Sequence, residues 1–296
     1  MRFSTRRRGG LVGALLVVVL GAGCSATPPA TAPPATPPPA SPSSTAAPST
    51  PAPDPAPLQA AVDAADASVT RSGADVGIAV LDRMTGLSAA NDEAARAFNS
   101  ASLSKVLTVV DLLVRGGEGA VTVSEDDREL VREALGPSDD GAMNTLWSRF
   151  GGQAGITRVI QRLGLQDTRV PDDASQWGEV QISARDMTTV LRFVLDGLAP
   201  ADRDLVTGAM TAAPAAAADG FDQAFGLLDP DRRGTAAAKQ GWLCCLQNSI
   251  DLHSAGTTDT DGRYVVAILS NQPRGYPAAR QVLDDAAAAI RDTLMT

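Results

Sequence analysis

Ser102-Leu103-Ser104-Lys105-Val106-Leu107-Thr108-Val109-Val110-Asp111-Leu112-Leu113-Val114 decides how this chain reads. After Lys105 only Thr108 and Asp111 are clearly polar, and a helix apolar on nearly every face belongs at the centre of a fold. Its start carries a serine and, three residues on, a lysine, which puts both side chains on one face. The N-terminus of a helix favours negative charge developing on the serine oxygen. A lysine pressed into a half-buried place loses its proton more easily and can act as a base. Such a pair is short enough to arise by chance, so its weight depends on what lies elsewhere.

Lys105 and Lys239 are the only lysines among 25 basic residues. The Ala-, Arg- and Asp-heavy composition points to a high-GC genome, which explains why lysines are scarce but not where these two sit. Arginine holds a permanent charge, whereas an ammonium can be tuned to give up its proton. Lys239 opens Lys239-Gln240-Gly241-Trp242 on a predicted strand. Between the lysines, Ser138-Asp139-Asp140 follows Ser102 by 36 residues, with Asn144 four further on, and Lys239 follows Ser138 by 101.

Working outward, Leu58 to Val69 reads as an opening helix, and Val76 to Leu81 as a strand turning through Asp82 to Gly86 into a second strand near Leu87 to Ala90. Ser124-Glu125-Asp126-Asp127 has the form of a capping box. Helices are expected at about 140–150, 153–163, 184–196 and 200–212. Strands follow at Ala236 to Leu243, Ser249 to Ser254 and Tyr264 to Leu269, then a closing helix at about 278–294. Strands at both ends with helices between predict an α+β domain over 58–296, its antiparallel sheet built from both ends and flanked by terminal helices. A helical subdomain is expected at about 98–190.

The three motifs, in this order and spacing, resemble the S-x-x-K, S-D-N and K-T-G set of serine β-lactamases and penicillin-binding proteins. The flanking Gly77-Ile78-Ala79-Val80-Leu81-Asp82, Ser183-Ala184-Arg185-Asp186-Met187 and Tyr264 to Leu269 match as well, so the resemblance spans roughly 58–296. It implies a β-lactamase/transpeptidase-like fold in which Ser102 is the nucleophile and Lys105 its base. Ser138 would relay a proton to the leaving group, and Lys239 would attract a substrate carboxylate. The N–H of Ser102 and an N–H after Gly241 would form an oxyanion hole. Asp140, Gln240 and Gly241 would then line the substrate.

Three departures from that family stand out. Asp140 replaces the asparagine whose amide donates to substrate, and a carboxylate beside Lys105 favours the charged ammonium. Gln240 replaces a threonine or serine, although its NH₂ offers a donor. The stretch Val170 to Gln181 lacks the Glu-x-x-Leu-Asn pattern, and its acids are Asp172, Asp173 and Glu179. Efficient β-lactam turnover is therefore not expected. Two readings compete: a serine-lysine hydrolase acting on a peptide or ester, such as a peptidoglycan stem peptide, and an inactive binding protein of the same fold. His253, the single histidine, is read as structural.

The N-terminus reads as an export signal. Arg2, Arg6, Arg7 and Arg8 precede an apolar stretch from Leu11 to Leu20, which is too short to span a bilayer. Leu20-Gly21-Ala22-Gly23-Cys24 resembles a bacterial lipobox, so residues 1–23 would be removed and Cys24 lipidated. That removal takes four arginines and no acid, moving the formal net charge from −9 to −13. An acidic surface argues against a nucleic-acid partner and against anionic lipid. Membrane contact would come through the acyl anchor, on the extracytoplasmic face. Residues 24–57 hold 13 of the 20 prolines and read as a tether, about 100 Å long when extended at ~3.1 Å per residue. Adjacent Cys244 and Cys245 are read as two thiols on opposite faces of a strand rather than as a disulfide. Two such cysteines and one histidine have no usual ligand spacing, so neither metal nor cofactor is expected.

Overall fold

The computed structural model describes residues 53–231, 234–273 and 275–295. The export signal, Cys24 and most of the tether lie outside the described residues. Helix α1 (Ala56–Val69) begins two residues before the predicted boundary, since Pro57 is tolerated in a first helical turn. Strands β1 (Asp75–Asp82) and β2 (Ser88–Ala90) form the predicted hairpin, and a two-residue strand β3 (Phe98–Asn99) follows. The helical layer comprises α2 (Ser104–Gly117), α3 (Glu125–Leu135), α4 (Asp140–Phe150) and α5 (Gln153–Leu163). Strand β4 (Gln181–Ile182) pairs with β3, and then come α6 (Ala184–Asp196) and α7 (Pro200–Thr211). The chain returns through β5 (Ala238–Cys244), β6 (Ile250–Thr257) and β7 (Tyr264–Gln272) to α8 (Tyr276–Leu294).

The sheet runs β2-β1-β7-β6-β5 with every pairing antiparallel, so both ends of the chain build it as expected. Alternation along its strands separates two apolar layers. Val76, Ile78, Val80, Leu252, Val266 and Ile268 face α1 and α8. Ala79, Leu81, Ala255, Val265, Ala267 and Leu269 face the helical layer around α2. Helix α2 is buried from Ser104 through Leu113, and its buried Asp111 is answered by Arg158 at 2.7 and 2.8 Å.

The capping box at Ser124 forms as expected: the Asp127 carboxylate takes the Ser124 N–H while Ser124 Oγ takes the Asp127 N–H. Two details of the fold differ from the sequence reading. Helix α7 lies against α3, in the helical part rather than with the sheet. Cys244 and Cys245 are joined as a vicinal disulfide at the end of β5 rather than standing as free thiols on opposite faces. Among the described residues no helix is long and apolar enough to cross a membrane.

Candidate active site

Strand β5 is an edge of the sheet, and its free side meets the segment that leads into α2. Ser102 does not belong to α2 itself. It sits in a 3₁₀ turn, Ala101–Leu103, because the Ser100 N–H is given to Val180 O at 2.7 Å and the Leu103 N–H returns to Ser100 O. Ala101 has a left-handed backbone, φ 48°. Gly241 permits the close approach of β5, since a Cβ there would stand 3.0 Å from Ser100 O and 3.2 Å from the His253 ring.

Ser138 occupies the bend between α3 and α4 with φ 58°, a second left-handed non-glycine residue within the site. Backbone held in such sparsely populated regions tends to collect at functional positions. The Asp139 carboxylate accepts the Ala142 N–H at 2.7 Å and caps α4. Asp139→Ala should lower unfolding free energy by about 1 kcal/mol through that lost cap, as read by urea denaturation. No change would mean that the bend is held from elsewhere.

The two lysines meet on this bend. Lys105 Nζ donates to Ser138 O at 2.7 Å, to Ser138 Oγ at 3.1 Å and to Asp140 Oδ1 at 2.7 Å. Lys239 Nζ donates to the same Ser138 Oγ at 2.8 Å and to Gln240 O at 2.8 Å. One hydroxyl thus accepts from both ammonium groups. Ser102, Lys105, Ser138 and Lys239 are each no more than 4% exposed, whereas the Asp140 side chain is 61% exposed. Ser102 Oγ has no hydrogen-bond partner among the described residues, so the structure gathers Lys105, Ser138, Lys239 and Asp140 into one network and leaves the Ser102 hydroxyl outside it.

Electrostatics follow from this burial. Desolvation pushes Lys105 below the ordinary lysine range, opposed by the hydrogen bond and charge of Asp140. Lys239 falls well below it, driven first by burial and then by the neighbouring Lys105 charge. No carboxylate of a described residue lies within ion-pair distance of Lys239.

Two tryptophans lie against these lysines, and neither had been given a role from sequence. The Trp177 ring stands 5.0 Å from Lys105 Nζ and is held by Nε1–H donating to Asn144 Oδ1 at 2.8 Å. The Trp242 ring stands 5.5 Å from Lys239 Nζ, stacks on Phe221 at 4.5 Å and donates to Asp219 at 3.1 Å. The usable signal was scarcity, for two of only three tryptophans in the chain border the site. Gln223 was also missed. Its buried amide donates to Gly136 O at 3.1 Å and to Pro214 O at 2.9 Å, bracing the segment before Ser138.

Gln240 faces away from Lys239. Strand alternation turns it toward α1 and α8, where its NH₂ is given to the Phe225 and Gln223 carbonyls. It therefore does not present that donor to the cleft, and its buried Oε1 has no partner. His253 is structural as expected: Nδ1 accepts the Ser270 N–H, leaving Nε2–H to donate to Asn99 O at 2.7 Å. Glu179 lines a cavity whose walls include neither Ser102 nor Lys105.

Comparison with known proteins agrees with this architecture. Residues 126–294 match the model of the beta-lactamase enzyme family. The chain is 36% identical over 217 residues to a protein named "Putative lipoprotein LppW" from Mycobacterium tuberculosis, covering 72% of this chain and 68% of that one. Among solved structures, the TLA-3 extended-spectrum beta-lactamase superposes with a TM-score of 0.68 at 13% identity, covering 81% of this chain and 100% of that one. A beta-lactamase from Chitinophaga pinensis gives 0.67 at 15%, covering 78% and 98%. PBP-A, solved as an acyl-enzyme complex with penicillin G, gives 0.63 at 19%, covering 79% and 96%. The solved structures share the fold, the lipoprotein is similar in sequence, and the chain belongs to the beta-lactamase enzyme family.

Proposed function

We propose that this protein is a lipid-anchored serine-lysine acyl hydrolase of the cell envelope, acting on a peptide or ester such as a peptidoglycan stem peptide. The observation that carries the reading is the shared Ser138 hydroxyl, which accepts from both Lys105 and Lys239 beside the Ser102 turn. In the first step neutral Lys105 takes the Ser102 proton as the Ser102 oxygen bonds to the substrate carbonyl carbon. The oxyanion so formed is held by the N–H groups of Ser102 and Trp242. The Lys105 proton then passes through Ser138 to the leaving amine or alkoxide as its bond to carbon breaks, giving an acyl-Ser102 ester. Lys239 supplies positive potential for a substrate carboxylate.

Among the described residues the only carboxylate bonded to this network is Asp140, which is paired with Lys105 rather than free to activate water, so the acyl-enzyme should be long-lived. Incubation with penicillin G followed by intact-mass measurement tests this. One covalent addition on the native protein, none on Ser102→Ala and slow loss over hours is the expected result. The second reading, an inactive binding protein, is favoured by the ion pair between Asp140 and Lys105 and by the unengaged Ser102 hydroxyl. It predicts no adduct on the native protein or on Asp140→Asn. The tether and Cys24 place the domain outside the cytoplasmic membrane in this proposal. Cys24→Ala should move the protein from the membrane to the soluble fraction without changing its melting temperature. Retention on the membrane would mean that the uncleaved signal is the anchor.

A further inference from the structure

A cavity of about 550 Å³ lies where β3, β4 and the segment 169–172 meet the near ends of β6 and β7, and none of the four serine and lysine site residues lines it. Its innermost charge is Asp251, only 2% exposed. Oδ1 accepts from Asn271 Nδ2 at 2.9 Å and Oδ2 accepts from Asn99 Nδ2 at 3.0 Å. No cation of a described residue lies within ion-pair distance of it. His253 cannot serve as one, because its Nδ1 is occupied as an acceptor and burial pushes its pKa below the ordinary value. A buried carboxylate without a cation is costly, and two amide donors leave half of its acceptor capacity unused.

The rim supplies charges of both signs. Arg96 is committed to Asp75 at 2.7 Å and Glu93 at 3.4 Å, whereas Arg169 has no ion-pair partner among the described residues. Asp172 and Glu179 also face the cavity. The interior therefore calls for a donor cation and the mouth offers one guanidinium for an anion.

We propose that this cavity is a second ligand site, for a small amino acid or short peptide whose ammonium group seats on Asp251 and whose carboxylate meets Arg169. It is independent of the serine chemistry. Ammonium-to-carboxylate hydrogen bonds are short and stronger than neutral ones, so the buried acid would dominate affinity. Calorimetric titration of the full chain with glycine, glycylglycine and triglycine samples the spacing between the two charges. At least one should bind with a Kd of about 1 mM or tighter. Its N-acetylated form should bind at least about tenfold more weakly, and so should its C-terminal amide. Asp251→Asn should reproduce the first loss and Arg169→Ala, on an exposed residue, the second. Absence of binding by all three peptides overturns the proposal. So does equal binding of the N-acetylated form, or binding that survives Arg169→Ala with the amide penalty intact.

Discussion

Asp140→Asn should speed acylation of Ser102 by up to about tenfold at neutral pH, since one pKa unit changes the free-base fraction of a mostly protonated lysine by that factor. Burial alone pushes Lys105 downward, and Asp140 at 2.7 Å is the largest opposing influence. Removing that charge lowers the Lys105 pKa further. A base works in its neutral form, so the acylation rate rises as pH climbs through this pKa. The rising limb of the pH–rate profile should therefore move to lower pH in the variant, while the plateau at high pH changes little. The asparagine oxygen can still accept from Lys105, which keeps the ammonium in place. Stopped-flow or quenched intact-mass kinetics across pH 5 to about 10 would resolve the shift. An unchanged profile would remove Lys105 as the base. A profile moved to higher pH would mean that Asp140 acts through something other than charge.

Asp140 also illustrates how far sequence reaches. Its place in the site was legible because Ser102, Ser138 and Lys239 fall in a fixed order, and order along the chain becomes convergence once the sheet is built from both ends; that it points at Lys105 was not. The strands were legible for a related reason: burial on both faces writes continuous apolar runs such as Tyr264 to Leu269. Burial of α2 on every face was equally plain. The start of α2 was not, because the 3₁₀ turn at Ala101–Leu103 is imposed by Val180, a residue distant in sequence. Helix α7 was assigned to the wrong layer because its own pattern fixes a buried face but not the neighbour that covers it. Gln240 was misjudged although its parity was available: Ala238, Gln240 and Trp242 alternate with Lys239 and Gly241, so glutamine and lysine point to opposite faces. The Trp177 contact with Lys105 depends on how a loop folds back, which no local pattern records.

Lys239→Met should stabilise the protein at pH 7 by roughly 1–3 kcal/mol while abolishing acylation, since a buried charge replaced by an apolar side chain of similar volume often gains stability. Lys239 is 1% exposed, bonds only to Ser138 Oγ and Gln240 O, and has no carboxylate at ion-pair distance among the described residues. Its pKa in the folded state lies well below the ordinary 10.5, chiefly through burial. The unfolded chain therefore binds this proton more tightly than the folded one. Between the lowered pKa and 10.5 the unfolded state carries the extra proton, so native stability increases with pH across that window. Methionine does not titrate, and the variant should lose that slope while gaining stability on the acidic side. Ser138 Oγ would still accept from Lys105, so the substitution does not orphan the hydroxyl. At about 2–4 °C per kcal/mol for a domain of this size, the gain should be visible in thermal melts at pH 7 and should shrink toward pH 10. A variant less stable than the native chain at pH 7, with the native slope retained, would show that Lys239 is already well satisfied as a cation. The opposite result would mean that the fold carries an unpaired buried lysine at a cost to its stability, which chemistry at Ser138 would explain and packing would not.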